Sequence, residues 1–286
     1  MPELPEIHAL VADLDARIHG NTVVRLDIQA IAALKTYDPP VSALAGQTVR
    51  SVTRHGKFLD LSIGDVHLVI HLARAGWIRW RESTPAMSGR RGNGPLAARL
   101  MFSDGSCLDI TEAGTRKSLS IHVVTEPDKV PAIALLGPDP LGKDFTEDLF
   151  LEILRTAGRA QIKGVLRQQS IIAGIGNAYS DEILHAAKMS PFKPAAMGAA
   201  DGSRLFTAVR DTLAEAVART EGLPASELKG EKKSHLRVHG RAGEPCPVCG
   251  DVIREVSFAD SSLQYCPACQ TNGIPLADRT LSRLLK

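Results

Sequence analysis

The first six residues, Met1-Pro2-Glu3-Leu4-Pro5-Glu6, place a potential nucleophile beside two carboxylates. If Met1 is removed, Pro2 carries a free secondary amine, and because an α-amino pKa is about 8, a useful fraction is neutral near pH 7. A neutral amine can attack an electrophilic carbon and form a Schiff base. Glu3 and Glu6 are three residues apart, so on one helical turn one carboxylic acid can protonate a substrate oxygen while the other moves protons or orients.

A helix must position these groups, and the residues after them predict one. Pro5 suits the first helical position, and the positive end of the helix favours a neutral amine over a charged one. Proline and glutamate are also what an ordinary helix start prefers, so the stretch alone leaves a purely structural role open. The apolar residues at helical spacing are Ile7, Leu10, Val11, Leu14 and Ile18.

Two cysteine pairs near the end of the chain predict a metal site. Cys246-Pro-Val-Cys249 and Cys266-Pro-Ala-Cys269 are separated by 16 residues, a pattern in which four thiolates converge on one structural Zn²⁺. Two disulfides are the competing interpretation, which a reducing cytoplasm disfavours. Cys107 is left over and is predicted to be a small buried hydrophobe.

A third candidate is the Gly174-Ile-Gly-Asn177 turn between two helical stretches. Its glycines let the backbone approach a ligand closely, and the helix that follows offers unpaired N–H groups that suit a phosphate. The alternative is a tight turn in which Asn177 is only the N-cap of the next helix.

Composition bounds the class of protein. The chain has 286 residues, enough for two domains, and is 44% hydrophobic and 23% charged, as soluble globular proteins are. No apolar run reaches the roughly 18 residues that a transmembrane helix needs, and the acidic N-terminus lacks a signal-peptide pattern, so we expect a cytoplasmic protein. The net charge is only +2, so a nucleic-acid surface must be a local patch.

The order of elements predicts an α+β protein that is β-rich first and helical second. Short runs rich in branched residues, with turn signals between them, indicate a β-sandwich or barrel before a Pro/Gly-rich linker. Helices follow the linker, one of them capped by Thr146. The predicted strands are 22–28, 48–53, 58–63, 67–72, 77–81, 98–102, 107–110 and 118–124, and the later helices are 162–168, 178–187 and 203–218. We place a surface loop at 82–95.

Three separated features together resemble the formamidopyrimidine-DNA glycosylase / endonuclease VIII family: the Pro-Glu-Leu-Pro-Glu start, the Ile172-Ala-Gly-Ile-Gly-Asn-Ala-Tyr179 segment and the four-cysteine finger. Val238-His-Gly-Arg241 and Gly243-Glu-Pro-Cys246 fit as well. The resemblance implies a two-domain α+β fold: an N-terminal helix with a catalytic β-sandwich at 1–135, a linker at 136–144, a helix-two-turn-helix domain at 145–237, and a zinc finger with a tail at 238–286.

It also implies a bacterial, nucleoid-associated and monomeric repair enzyme that binds damaged DNA, removes an oxidised base and nicks the strand. By resemblance, Pro2 attacks C1′ of a flipped nucleotide and Glu3 protonates the sugar oxygen, while Glu6 supports proton movement. Lys57 holds phosphate and assists elimination. Lys163 and Asn177 lie near the lesion and its phosphates, and Glu182 is a buried acid beside the site.

Two departures from the family pattern concern how the DNA is held. Arg74 stands where the family has a void-filling methionine, and the usual arginine–phenylalanine pair is not evident near Arg116, so Arg74 or Arg116 is the candidate for that role. Ser261 stands where the finger hairpin normally carries an arginine, which leaves Arg254 or the tail to supply that contact.

Two further departures concern the lesion and the C-terminus. The segment 221–237 lacks the stretch with which the formamidopyrimidine branch covers 8-oxoguanine, so we favour oxidised pyrimidines and abasic sites. An 8-oxoguanine or formamidopyrimidine preference is one alternative, and a catalytically weak damage-binding protein on the same scaffold is another. A zinc-ribbon module would explain only the finger. Past Cys269, residues 279–286 are predicted to form a short amphipathic helix.

Overall fold

The structure, a computed structural model, describes residues 1–85, 95–259 and 261–277. The chain forms two compact units. The first unit contains Met1–Leu136 and a return segment, Thr220–Lys229; the second contains Gly137–Arg219 and the chain from Gly230 onward. None of the helices in these described ranges combines the length and apolarity that crossing a lipid bilayer requires.

The first unit is a β-sandwich preceded by a helix. Its two four-stranded sheets have the orders β1-β6-β7-β5 and β2-β3-β4-β8, and neighbouring strands in both are antiparallel. The elements are α1 (Leu4–Ile18), β1 (Val23–Ile28), β2 (Val49–His55), β3 (Phe58–Ile63), β4 (Val66–His71), β5 (Gly76–Arg81), β6 (Leu96–Phe102), β7 (Cys107–Glu112), β8 (Ser120–Val124) and the short α2 (Pro131–Ala134).

The core of the first unit follows from the two residue periodicities. The apolar face of α1 is buried, as its spacing predicts. On β3, Leu59, Leu61 and Ile63 are fully buried in the same core, whereas Phe58 and Asp60 lie on the other face of the sheet. Cys107 is also fully buried, as predicted.

The second unit is helical and ends in a β-hairpin finger. Phe145, Phe150 and Phe206 form an aromatic cluster in its helical part, with ring centroids 5.7 to 5.9 Å apart. The side chain of Thr146 caps the first long helix, as predicted. The elements are α3 (Glu147–Ala157), α4 (Ile162–Arg167), α5 (Asn177–Ala186), α6 (Ala199–Thr220), α7 (Leu228–His235), β9 (Arg254–Ser257), β10 (Ser262–Tyr265) and α8 (Pro267–Gln270).

The predicted fold class is confirmed, with a sandwich rather than a barrel, and all eight strands of the first unit are present. β8 begins at Ser120 instead of Ser118 because the N–H groups of Ser118 and Leu119 bind the Glu112 carboxylate instead of a neighbouring strand. Helix α7 was not predicted, since its sequence is polar and only Leu228 is buried. The predicted surface loop falls largely outside the described residues, and the predicted C-terminal helix lies outside them altogether.

Candidate functional site

The N-terminal residues of the first unit are held by a contact within the first turn of α1. The Glu3 N–H donates to Oε2 of Glu6 at 2.7 Å, and the Glu3 carbonyl accepts the N–H of Ile7 at 3.0 Å. Pro2, Glu3 and Glu6 are all buried, Glu3 with 2% and Glu6 with 1% of its surface exposed. Glu6 therefore fixes the backbone that carries Pro2 and Glu3 at the positive end of the helix.

Lys57 lies in the two-residue turn that joins β2 to β3. His55 pairs with Phe58 across the hairpin, which leaves Gly56 and Lys57 as the turn. Gly56 has φ +54°, a conformation that favours glycine, and its carbonyl accepts Nη1 of Arg54 at 3.3 Å. Lys57 is 6% exposed, so this tight turn carries a buried lysine.

His71 is a neighbour of Lys57 to which the sequence analysis assigned no role. It pairs with Phe58 at the end of β4, and the two rings are 4.6 Å apart. Burial, together with the charges of Lys57 and His122, lowers the pKa of His71 to about 4. His71 is therefore neutral at pH 7 and can donate to or accept from a ligand beside Lys57. The antiparallel register of β3 and β4 was the signal that could have revealed it.

Arg74 and Arg116 lie on loops that leave the same end of one sheet. Gly76 pairs with Glu112, so the loop carrying Arg74 runs into β5 where the loop carrying Arg116 leaves β7. Both arginines are exposed. A Cβ on Gly76 would approach the carbonyl oxygen of Leu72 to 2.1 Å, which only glycine avoids. The structure thus brings the loops of the two predicted void-filling candidates to the same end of one sheet in the first unit.

Lys163 of the second unit lies inside the protein. Its ammonium donates to Oδ1 of Asp181 at 2.6 Å, to Oγ of Ser180 at 2.7 Å and to the Asn177 carbonyl at 3.1 Å. The other oxygen of Asp181 accepts Nδ1 of His239 at 2.7 Å. Lys163 is only 5% exposed, so these contacts make it a buried tie between α4, α5 and the chain before the finger. Its predicted contact with DNA stays a prediction.

Glu182 and Asn177 join α5 to the segment that leads into the finger and to the finger itself. The Glu182 carboxylate accepts the N–H groups of Arg237, Val238 and His239 at 2.7 to 3.0 Å. Burial raises the pKa of Glu182, and these three donors oppose the shift. Asn177 Nδ2 donates to the Ser262 carbonyl at 2.7 Å.

The interpretation of Asn177 as an N-cap is wrong. Gly176 occupies the N-cap position and Asn177 is the first residue of α5. Because its side chain is directed to the finger hairpin, Asn177 cannot also fold back to cap its own helix. Its Oδ1 is buried without a hydrogen-bond partner.

The four predicted cysteines form one cluster in the second unit. Their Sγ atoms all lie within 4.8 Å of one another, and none of the cysteines is in a disulfide, so the disulfide alternative is wrong. Sulfur atoms bound tetrahedrally to one metal at about 2.3 Å are a little under 4 Å apart, and the Cys246–Cys269 and Cys249–Cys266 distances are 4.0 and 3.3 Å. The cluster therefore fits a structural metal. Nε2 of His185 lies 3.3 Å from Cys246 Sγ.

The finger hairpin contains the position where the family pattern has an arginine. Ser261 lies at its tip, where its carbonyl accepts the N–H of Phe258 at 2.8 Å. Arg254 is exposed on β9 and pairs with Tyr265. The two therefore lie at opposite ends of the hairpin.

Comparisons with known proteins agree with this architecture. Family models match along the chain in order: the formamidopyrimidine-DNA glycosylase N-terminal domain at residues 1–117, the formamidopyrimidine-DNA glycosylase H2TH domain at 136–226, and the zinc finger found in FPG and IleRS at 243–272. The formamidopyrimidine-DNA glycosylase of Symbiobacterium thermophilum is 33% identical over 98% of this chain and 93% of its own.

Other relatives extend the likeness. An uncharacterized formamidopyrimidine-DNA glycosylase-like protein of Mycobacterium tuberculosis is 56% identical over 54% of this chain and 98% of its own. A structure of MutM with DNA containing carbocyclic 8-oxo-G superposes with a TM-score of 0.81 at 28% identity, covering 94% of this chain and all of that one. Lactococcus lactis Fpg bound to abasic-site DNA gives a TM-score of 0.82, with 28% identity, 94% of this chain and 99% of that one.

The ordered domain matches and the full-length relatives place the protein among the zinc-finger DNA glycosylases of base excision repair. The chain belongs to the formamidopyrimidine-DNA glycosylase family, within the wider group that includes endonuclease VIII.

Proposed function

We propose that this protein is a bifunctional DNA glycosylase and abasic-site lyase that acts through a Schiff base on Pro2. The observation that carries the proposal is the buried arrangement at the start of α1, where the residue that would become a secondary amine directly precedes Glu3 and Glu6 braces Glu3. Relatives in DNA complexes support a damaged-DNA substrate.

The chemistry divides between these residues. With Met1 removed, the Pro2 nitrogen attacks C1′ of the extruded nucleotide while Glu3 donates a proton to the ring oxygen of the sugar, so that the C1′–ring oxygen bond breaks and the ring opens. The base then departs with the electrons of its bond to C1′ and takes up the proton that the Pro2 nitrogen releases, which leaves an iminium ion, the protonated Schiff base, between that nitrogen and C1′. Loss of a proton from C2′ then expels the 3′ phosphate, and a second elimination removes the 5′ phosphate.

Different residues bind the DNA phosphates and fill the space that the extruded base leaves. Lys57, with neutral His71 beside it, supplies a donor pair for a backbone phosphate. In the second unit, Lys163 and Asn177 lie near the lesion and its phosphates in this proposal, and Glu182 holds the chain before the finger. Arg74 and Arg116, on loops at the same end of one sheet, fill the space that the extruded base leaves.

The preferred lesions are oxidised pyrimidines, together with abasic sites. The return segment packs on the sandwich: Ala225 and Leu228 are buried in its core, and the Ala225 carbonyl accepts Nε1 of Trp77 at 3.1 Å. Lys229, in the first turn of α7, lies 4.4 Å from the Trp77 ring. A segment anchored in this way has little length left to close over a purine.

One Zn²⁺ in the four-cysteine cluster completes the proposal. Four thiolate donors suit this ion, which would hold the finger together and take no part in the reaction. We also propose that the protein acts on DNA as a monomer.

Borohydride trapping tests the chemistry. The protein, its N-terminus verified by mass, is incubated with duplexes containing an abasic site, an oxidised pyrimidine or 8-oxoguanine. We expect covalent adducts with the first two. Pro2→Gly, which leaves a weaker primary amine, should slow trapping, whereas Pro5→Gly, which removes a proline but no amine, should not.

The other outcomes separate the alternatives. Faster trapping on 8-oxoguanine than on the pyrimidine would overturn the lesion preference and favour the formamidopyrimidine branch. Tight binding without any adduct would replace the enzyme with a catalytically weak damage-binding protein. Retention of Met1 in the active protein would exclude the Pro2 mechanism.

A further inference from the structure

A buried carboxylate lies behind the turn that carries Lys57. Asp60 of β3 is 3% exposed. Its Oδ2 accepts Nε2 of His55 at 3.0 Å and its Oδ1 accepts Nδ1 of His67 at 2.8 Å. Oγ1 of Thr53 lies 3.4 Å from Oδ2. The carboxylate is thus hydrogen-bonded from both neighbouring strands, β2 and β4.

This arrangement keeps Asp60 charged. Burial by itself would raise the pKa of Asp60, but the hydrogen bonds from His55 and His67 outweigh burial and hold that pKa below its ordinary value. A carboxylate that accepts from both sides fixes the orientation of its donors. Since a buried charge is costly without partners, the three side chains behave as one unit.

The unit is placed where it controls the turn. His55 is the last residue of β2 and Phe58 the first of β3, with Gly56 and Lys57 between them. Asp60 is two residues beyond Phe58 on the same face of β3. The His55–Asp60 hydrogen bond therefore crosses the hairpin next to the Gly56-Lys57 turn, and the His67 contact ties that crossing to β4.

We propose that Asp60, clamped by His55 and His67, is a positioning residue that holds the Lys57 turn in the geometry that grips a DNA phosphate. This rests on the proposed role of Lys57. Asp60 touches no substrate in this scheme and acts only through the turn.

Removing the charge of Asp60 distinguishes two roles, because a positioning role and a purely electrostatic role predict opposite changes in DNA affinity. A carboxylate near a phosphate site repels DNA, so if only its charge mattered, removing it would tighten binding. If it positions Lys57, removing it weakens binding although a negative charge has been lost.

The experiment measures the affinity of the full-length protein for a duplex containing a tetrahydrofuran abasic analogue, at one fixed salt concentration. Asp60→Asn, Lys57→Ala and the double variant are compared with wild type. Asp65→Asn is the matched control, since Asp65 lies in the turn between β3 and β4 in an exposed ion pair with Arg50. We expect Asp60→Asn to weaken binding about fivefold, and to have no further effect once Lys57 is alanine. Asp65→Asn should not weaken binding.

Unchanged or tighter binding by Asp60→Asn would overturn the proposal, as would an equal loss in the presence and absence of Lys57. If Lys57→Ala itself binds like wild type, the phosphate role of Lys57 fails instead, which is a separate result. Urea unfolding verifies that each variant is folded. If Asp60→Asn does not fold, His55→Ala and His55→Gln replace it. A positioning role predicts that His55→Ala binds the duplex weakly. His55→Gln, which keeps an N–H donor for Asp60, should then bind with an affinity close to that of wild type. Equal affinity of those two variants would refute it.

Discussion

The two units hold their candidate residues on different kinds of element. In the first unit, Pro2 and Glu3 lie where the chain begins and Lys57 lies in a tight turn. In the second, Lys163 and Glu182 lie within packed helices, and their charged ends bind protein atoms on neighbouring elements. All but Pro2 carry ionisable side chains, and all are buried, but their partners differ.

Under the proposed function, Glu3 and Lys57 take part in the chemistry, whereas Lys163 and Glu182 hold a surface in place. Glu3 and Lys57 are presented by a helix start and a turn whose backbone is braced by another residue, Glu6 in one case and Arg54 in the other. The Lys163 ammonium has three acceptors inside the protein, and the Glu182 carboxylate has three donors. Burial alone therefore does not identify a catalytic residue, whereas its partners indicate what it can do.

The largest effect that would test this contrast is expected at Glu3. Glu3→Gln removes the proton donor but keeps the shape, so base excision should fall about 10³-fold, within the range of general acid catalysis. Trapping at a preformed abasic site should persist, since part of that sugar is already in the open-chain aldehyde form, which needs no acid to open a ring. Glu126→Gln, which changes an exposed carboxylate of the same unit, should match wild type in both assays, measured by single-turnover cleavage and borohydride trapping.

Equal base excision by Glu3→Gln and wild type would remove Glu3 from the proposed chemistry. If Glu3→Gln lowered the free energy of unfolding by as much as it raised the activation free energy of base excision, Glu3 would instead be a residue that holds the structure. Either result would erase the contrast between the units.

The second effect is expected at the buried pair of the second unit. Asp181→Leu leaves the Lys163 ammonium without its main partner and should lower the free energy of unfolding by about 3–5 kcal/mol. The double variant Lys163→Met/Asp181→Leu removes both charges and should recover much of that loss. Urea denaturation provides the measurement, and Glu152→Gln, in an exposed pair with Arg155, should leave stability unchanged. A double variant less stable than Asp181→Leu would contradict a buried tie.

The smallest effect concerns His71 and pH. Because the pKa of folded His71 is about 4 and that of the unfolded residue about 6.5, the unfolded state binds the proton first as pH falls. The free energy of unfolding should therefore decrease from pH 7 downward, with His71 contributing about 2 kcal/mol of that loss by pH 5. His71→Gln should show a correspondingly shallower decrease in pH-dependent urea unfolding. Identical pH profiles for wild type and His71→Gln would show that the pKa of His71 is not lowered in the folded protein.

Local patterns in the sequence were sufficient for most elements. The spacing of Ile7, Leu10 and Leu14 predicts α1, and β3 was predicted residue for residue, because each pattern reflects burial of one face. The four cysteines also predict their cluster, since paired ligands close in sequence leave few other arrangements. Helix α7 was missed because a polar sequence gives no periodic signal.

Local sequence patterns could not predict contacts between residues that are far apart in the chain. Asp181 binds His239 from 58 positions away, and Trp77 donates to Ala225 across 148 positions. The sequence shows the residue types on both sides but not their pairing. His71 beside Lys57 and Asp60 between two histidines likewise depend on strand register, which the sequence constrains only through the turn.

The sequence by itself determined the order of the domains, the nucleophile candidate with its carboxylates, the four clustered cysteines and the family resemblance, because each depends on residues that are neighbours in the chain or on ordered motifs. Only the tertiary structure decided which charged residues are satisfied inside the protein, that the return segment is anchored on the sandwich, and that Asp60 lies behind the Lys57 turn. Those features arise from packing between elements far apart in sequence, and burial then determines which partner each charge must find.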